Sequence, residues 1–248
     1  MTLCIAARAI HALKPVIVMC SDLLIGDEYS TTEKTFKCDP NFALGLSVLF
    51  AGTTEDVWDL LRLCKTRLVF RPMGWDEIKE ELCLAVKELK DLRPKTGRRG
   101  KLDVQLLVCG CVQNSVDILY VDRQGVSQIQ DYGAIGIGAH VADAMFRWRM
   151  ATELMNPFSN LRDLLYFVNE AKRLGGISPY VGKLTSMMIA VPGAAGQLKV
   201  MFLPPDNISF LESEFNKYGP QHLPEKRDEF PNFPNVIANS GGHSGSNP

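Results

Sequence analysis

The feature that most limits the possible folds is the grouping of strand patterns into blocks separated by pairs of helix patterns. Residues 2–9 and 15–22 are short apolar runs that predict a buried antiparallel hairpin. Two more strands are expected before residue 53, with a turn at residues 39–41, because Asp, Pro and Asn are common turn residues. The first fifty residues are therefore predicted to form an antiparallel meander.

Helical spacing of apolar residues replaces this pattern at residues 53–70 and 75–92. Three strands follow, then helices that include residues 141–151 and 160–174, a closing hairpin and a last short helix. Strand blocks joined by hairpins form antiparallel sheets, and helix pairs between the blocks must cover a sheet face. The predicted fold is therefore α+β: a four-layer αββα sandwich of two antiparallel sheets between helical layers.

We expect one domain over residues 1–218 and a C-terminal arm over residues 219–248. The arm is rich in Pro, Gly, Ser and Asn without periodicity, so it cannot build a core of its own. Its Phe230 and Phe233 are expected either to be disordered or to pack on another subunit. In the helix over residues 141–151, Phe146 and Trp148 point to different sides. At least one of them is expected to face away from the domain core, with burial under a neighbouring helix as the alternative.

The composition is that of a globular protein without strong overall charge. Of the 248 residues, 46% are hydrophobic, and the formal net charge is −1. This balance argues against nucleic acid or a membrane as partner. One basic run, residues 94–101, contains Pro and Gly, and we interpret it as an exposed loop rather than a phosphate-binding patch. Neither a signal-peptide pattern nor an apolar run of transmembrane length is seen, and we expect a cytoplasmic protein.

Seven cysteines, an odd number, lie mostly within apolar runs. This favours buried free thiols in a reducing compartment over disulfides. Cys109 and Cys111 share one face of a predicted strand, but no second Cys/His pair at suitable spacing accompanies them. The four histidines are scattered. We therefore expect no metal and no cofactor.

Thr2 follows Met1, and its small side chain permits removal of that methionine. Removal leaves Thr2 with a free α-amine beside its hydroxyl, so the hydroxyl can attack a carbonyl while the amine accepts the proton. The unperturbed pKa of an α-amino group, about 7.7–8.0, suits this role near neutral pH. A Met-Thr pair without catalytic meaning is the alternative, and the residues that follow must decide.

The motifs after Thr2 come in a specific order. A strand ends in Asp22, Lys34 opens the run KTFKCD, and an apolar strand that ends in Gly52 leads into the first long helix. Over residues 2–58 this order resembles that of the proteasome β-type subunits and the peptidase of the HslUV complex, which are N-terminal-nucleophile (Ntn) hydrolases. From residue 102 to residue 203, only the element pattern and the turn at residues 135–140 match.

The resemblance implies the αββα fold and a site in which Thr2 is the nucleophile. In such a site a lysine ammonium favours the alkoxide, and a carboxylate holds that lysine charged and oriented. By resemblance, Lys34 is the activator, Asp22 is its orienting partner, and the backbone N–H of Gly52 donates to the oxyanion. Ordinary strand-end charges are the alternative for Asp22 and Lys34.

The same resemblance implies a pocket for the residue that precedes the scissile bond. Its border consists of Ile25, Thr32, Phe50 and Thr54. With Phe50 in its wall, the pocket favours medium or large apolar side chains. Core packing is the competing explanation for Phe50.

The chain also departs from the pattern of active members. Leu24 stands where they have Arg, Ile137 stands where they have Ser, and Lys34 follows Asp22 a few residues too early. The site is therefore expected to run slowly, to use other neighbours such as His140 or Ser21, or to be inactive.

The expected function is hydrolysis of peptide bonds by Thr2 inside a homo-oligomeric ring or stacked rings. An ATPase or another regulator is a further expected partner. The alternatives are a non-catalytic structural or adaptor subunit on the same fold and a small-molecule amidase, since Ntn folds host that chemistry as well.

Overall fold

The computed structural model describes residues 2–11, 13–26, 31–33, 36–68, 73–98, 100–113, 115–152, 160–178, 180–193 and 197–219, without the side chains of residues 24–26, 31–33 and 152. The strands are β1 Leu3–His11, β2 Lys14–Asp22, β3 Leu24–Gly26, β4 Thr31–Glu33, β5 Cys38–Ala43, β6 Leu46–Gly52, β7 Val104–Val112, β8 Ser115–Asp122, β9 Gly125–Ile129, β10 Tyr132–Gly136, β11 Thr185–Pro192 and β12 Leu198–Phe202. The helices are α1 Thr54–Leu68, α2 Trp75–Leu92, α3 Ala139–Thr152, α4 Leu161–Gly175 and α5 Pro205–Tyr218, with a short 3-10 helix at Pro94–Thr96.

Within the described residues, these strands form two five-stranded antiparallel sheets and the separate pair β3–β4. The first sheet has the order β10-β1-β2-β11-β12, and the second has the order β5-β6-β7-β8-β9. The predicted hairpin of β1 and β2 and the closing hairpin of β11 and β12 both occur. The α+β class and the antiparallel sheets are therefore confirmed.

Three hydrophobic cores lie among the described residues of these elements. One core joins the first sheet to α3 and α4, for example through Ile5 and Phe146. A second joins the second sheet to α1 and α2, for example through Val108 and Leu82. The third consists of side chains from both sheets, since successive residues of a strand point to opposite faces. This packing is compatible with the predicted four-layer order.

The predicted turn at Asp39, Pro40 and Asn41 is wrong, because these residues lie within β5. Pro40 has no N–H to donate, but β5 is an edge strand with a partner on one side only, where proline is tolerated. The pairing with β6 shifts register between Asp39 and Ala43. The chain reverses at residues 44 and 45, where Gly45 has φ 72°, a conformation that glycine adopts easily.

The predicted single meander is also wrong. The hairpin of β1 and β2 belongs to the first sheet, whereas β5 and β6 pair in the second. The first fifty residues thus contribute to both sheets. This division places the start of β1, with Thr2 before it, in the first sheet, and the end of β6, with Gly52, in the second.

The helices lie where their periodicity predicts them. Glu55 and Asp56 occupy the first turn of α1, where acidic side chains are favoured by the helix dipole. The side chain of Asn160 caps α4 by accepting a hydrogen bond from the Asp163 N–H at 2.8 Å. In the basic run, the 3-10 helix is followed by Arg98, which forms an ion pair with Asp59.

Phe146 and Trp148 point to different sides of α3, as predicted. Phe146 is buried and stacks on Tyr132 with ring centroids 4.4 Å apart, whereas Trp148 is 43% exposed. The predicted arm over residues 219–248, with Phe230 and Phe233, lies outside the described residues except for Gly219. No described helix is both long and apolar enough to cross a membrane.

Candidate active site

A fully buried carboxylate, that of Asp22, lies at the end of β2. Its Oδ1 accepts a hydrogen bond from the Thr2 hydroxyl at 2.6 Å and another from the Leu3 N–H at 2.9 Å. The ammonium of Lys37 donates to the same oxygen at 2.9 Å. Oδ2 accepts from the backbone N–H of Gly182 at 2.8 Å. Four donors thus fix both oxygens of this carboxylate, as a buried charge requires.

Strand pairing brings these groups together. Asp22 lies opposite Thr185 of β11, and Leu3 lies opposite Gly136 of β10. The carbonyl oxygen of Thr2 accepts a hydrogen bond from the Ile137 N–H at 2.8 Å. The backbone of Thr2 is therefore held by Ile137, directly after β10, and its side chain is held by Asp22.

Position 136 requires glycine, because the backbone there passes close to the carbonyl group of Thr2. Gly136 has φ 91°, a conformation that disfavours other residues, and a Cβ at this position would clash with the Thr2 carbonyl oxygen. Its N–H donates to Oε1 of Gln105 at 2.8 Å, and Nε2 of Gln105 donates to the Tyr120 hydroxyl at 3.0 Å. A chain of hydrogen bonds from the second sheet thus supports the backbone beside Thr2.

Lys37 is the residue that sequence reasoning missed. Its side chain is 5% exposed and forms an ion pair with Asp22. Because the Lys37 ammonium and the Thr2 hydroxyl bind the same oxygen, they lie within two hydrogen-bond lengths of each other. The available signal was spacing: Lys37 follows Asp22 by 15 residues, while Lys34 stands too early for the family pattern. Lys34 itself lies outside the described residues.

Gly52 ends β6 and has φ 125°. A Cβ at this position would clash with the carbonyl oxygen of Asp103, so the local backbone path requires glycine. Among the described residues, no hydrogen bond joins Gly52 to Thr2. The predicted oxyanion role of Gly52 therefore stays a prediction.

The residues predicted to border the substrate pocket lie in two places. Phe50 is 8% exposed and belongs to the core beneath α1 and α2, and Thr54 is exposed at the start of α1. Ile25 and Thr32 pair with each other across β3 and β4, but their side chains lie outside the described part of the structure. The ring centroid of Phe50 is 5.7 Å from that of Trp58. Trp58 is 57% exposed, and it extends this aromatic surface towards solvent.

Among the described residues, the two other neighbours named from the sequence, His140 and Ser21, form no hydrogen bond with Thr2. Nδ1 of His140 lies 3.1 Å from the carbonyl oxygen of Ile137. The hydroxyl of Ser21 is buried and has no hydrogen-bond partner in the part of the chain that the structure describes. Of these two hydroxyls, that of Thr2 is the one hydrogen-bonded to the ion pair of Asp22 and Lys37.

Thiol nucleophiles are disfavoured at this site. All seven cysteines are free, and burial, with a contribution from the Asp22 charge, raises the pKa of Cys4 well above its usual range. Burial also raises the pKa of Cys20 to about 12, so neither thiol forms a thiolate near neutral pH. Among the described residues, no group of three His, Cys, Asp or Glu side chains is placed to hold a metal ion.

Taken together, the described contacts provide a hydroxyl, a carboxylate and an ammonium that share one oxygen in a buried setting. This arrangement can orient a nucleophile and favour its deprotonated form. In comparisons with known proteins, no protein-family model and no curated protein matches the chain.

Proposed function

We propose that the chain is a proteasome-like Ntn hydrolase that cleaves peptide bonds with Thr2 as nucleophile. The observation that carries the proposal is the shared oxygen of Asp22, which binds the Thr2 hydroxyl at 2.6 Å and the Lys37 ammonium at 2.9 Å. Three groups with these chemical roles were expected from the resemblance, although with Lys34 in place of Lys37. The packing of two antiparallel sheets with helices supports an Ntn-type αββα sandwich as the fold.

The proposed reaction begins once Met1 has been removed. Oγ1 of Thr2 attacks the carbonyl carbon of the peptide bond, and its proton passes to the Thr2 α-amine and then to the leaving amine. The C–N bond breaks and an ester to Thr2 remains. Water then attacks this ester with the α-amine as base, which releases a carboxylic acid and restores the hydroxyl. The charge of Lys37 stabilises the developing alkoxide, and the N–H of Gly52 is the proposed donor to the oxyanion.

The aromatic surface of Phe50 and Trp58 supports a preference for apolar substrate side chains. Thr54 and Trp58 stand four residues apart on α1 and therefore share a face of that helix. Phe50 contacts Trp58 from the sheet below. We propose that these residues form one wall of the pocket, and that Trp58 is an addition to the residues named from the family pattern.

The first test of this function is covalent labelling of Thr2. The protein with Met1 removed is expected to gain one β-lactone adduct, located at Thr2 by peptide mass spectrometry, because the lactone carbonyl is opened by the activated hydroxyl. The intact mass of the undigested protein gives the fraction of chains that retain Met1.

Two variants serve as controls for the labelling. Thr2→Ala is expected to show no adduct, whereas Thr2→Ser, which keeps a hydroxyl at the same position, is expected to retain labelling. An adduct or peptide hydrolysis that persists undiminished in Thr2→Ala would remove Thr2 from the mechanism.

One observation favours a non-catalytic subunit as the second candidate. Thr2 is 4% exposed, and its hydroxyl already donates to Asp22. In this state Thr2 fixes the start of β1 rather than presenting a nucleophile. Purified protein that retains Met1 in every chain, remains unlabelled and still assembles into rings would favour this candidate.

Assembly into a ring is the second part of the proposal. Trp148 and Met150 are 43% and 45% exposed on the outer helix α3, and exposed large apolar side chains are typical of repeated interfaces. We expect native mass spectrometry at micromolar concentration to show a homo-oligomer of many subunits. A chain that ends at Tyr218 tests the arm, and is expected to assemble less completely. A monomeric full-length chain would contradict the ring.

A further inference from the structure

We propose that a cavity at the C-terminal end of α4 binds a small anionic ligand, one that carries a carboxylate or phosphate group together with an apolar part. The cavity has a volume of about 390 Å³, which lies within the range of small-molecule sites. Six of its side chains carry the argument: Lys172, Arg173, Leu174, Ile177, Lys183 and Phe215. This site is distinct from the chemistry proposed for Thr2 and does not depend on it.

Three cationic side chains line the cavity. Lys172 is 2% exposed, and its ammonium donates to the carbonyl oxygen of Lys183 at 2.6 Å. An ammonium has three N–H donors, so Lys172 retains capacity for an acceptor in the cavity. Burial lowers the pKa of Lys172, although the charges of Asp22 and Glu212 oppose this shift. Among the described residues no carboxylate forms an ion pair with Lys172, and a bound anion would supply that contact.

The acidic groups nearby do not neutralise this cluster. Glu212 lies 3.9 Å from Arg173, and both side chains are about one-third exposed, so solvent weakens their attraction. Asp22 is close enough to act on Lys172 through its charge, but its own oxygens are occupied by four donors. The cavity therefore keeps a positive potential that attracts anions.

The other walls of the cavity are apolar. The guanidinium of Arg173 lies over the Phe215 ring, 5.5 Å from its centroid. This contact holds an aromatic face beside a positive charge. Ile177 is 77% exposed at the edge of the cavity, where an apolar ligand group would cover it. A cationic floor with apolar walls suits a ligand with one anionic end and one apolar end.

The cavity shares one residue with the candidate active site. Gly182 lines the cavity, and its N–H donates to Oδ2 of Asp22. A ligand in the cavity therefore contacts the segment that holds Asp22, and binding is expected to reduce local opening of this segment. Hydrogen exchange of residues 176–183 reports such an effect directly.

Calorimetric titration of the full-length protein tests the proposal with two probes, sodium hexanoate and sodium phosphate, at constant ionic strength. We expect saturable binding of at least one probe, together with slower amide hydrogen exchange at residues 176–183. Residues 125–129 in β9, on the edge of the second sheet, serve as the reference segment. Tighter binding of hexanoate would identify the ligand class as carboxylates with an apolar group, and tighter binding of phosphate would identify phosphate compounds.

Exposed or partly exposed residues serve as the variants, because replacement of the buried Lys172 is expected to affect folding. Lys183→Gln and Arg173→Gln are each expected to weaken binding about tenfold, since each removes one charge-assisted contact. Lys199→Gln removes an exposed lysine of β12 outside the cavity and is expected to leave the affinity unchanged. The proposal is overturned if neither probe binds saturably, or if Lys199→Gln weakens binding as much as the two cavity variants.

Discussion

Replacement of Lys37 by methionine is expected to reduce hydrolysis of an apolar fluorogenic peptide by about 100- to 1,000-fold, the usual effect of removing one preorganised electrostatic group from an active site. Methionine has a similar length and keeps the packing of a side chain that is 5% exposed, but it removes the charge beside the Thr2 hydroxyl. The measurement is kcat/KM of protein from which Met1 has been removed, with circular dichroism as the check on folding.

Lys34→Met is the matched comparison, because it makes the same change three residues away in the same run. If Lys37 is the activator, the Lys34 variant is expected to keep most of its activity. The reverse result, an inactive Lys34 variant and an active Lys37 variant, would restore the assignment that the family pattern implies.

Asp22→Ala is expected to lower the free energy of unfolding by about 3–5 kcal/mol, as is usual when one partner of a buried ion pair is removed. The substitution takes away the carboxylate that faces the Lys37 ammonium and also the acceptor for the Gly182 N–H. Urea unfolding followed by circular dichroism measures this loss.

Two further variants show whether charge burial is the cause. Combining Asp22→Leu with Lys37→Met is expected to recover part of the stability, because an apolar pair of similar volume replaces two buried charges. Arg62→Ala removes one partner of an exposed pair with Asp59 and is expected to change stability by less than about 1 kcal/mol. An Asp22→Ala protein as stable as Arg62→Ala would show that the buried pair contributes little.

Local patterns predicted most of the fold. The apolar periodicity of α1, α2 and α4 and the apolar runs of β1 and β2 depend on near neighbours in the chain, and the structure has each element close to its predicted position. The prediction of a turn at residues 39–41 was wrong because proline, which is excluded from central strands, is tolerated in an edge strand. Whether β5 lies at an edge depends on sheet order, which residues 39–41 do not encode.

The candidate site likewise contains residues that local sequence patterns predicted and residues that they did not. Asp22 was predicted correctly as a strand-end carboxylate, and the contact of Thr2 with Asp22 is a direct consequence of β1 pairing with β2. Lys37 lies outside regular structure, between β4 and β5. The direction of its side chain therefore depends on the path of the chain and not on a repeating pattern. The donor Gly182 is 160 residues from Asp22, and no local feature of its segment indicates this contact.

The separation between Gly182 and Asp22 has a consequence for the order of events during synthesis. Residues 2, 3, 22 and 37 leave the ribosome early, but Gly182, the last donor to the Asp22 carboxylate, follows Asp22 by 160 residues. Closure of such a long loop is slow compared with formation of the first hairpin. The β11 strand that follows Gly182 must also pair with β2 before the first sheet is continuous. A nascent chain therefore contains Thr2 and Lys37 before all four donors to the Asp22 carboxylate are present. Completion of the candidate site coincides with completion of the first sheet, so under the proposed function no hydrolysis is expected before the fold has closed.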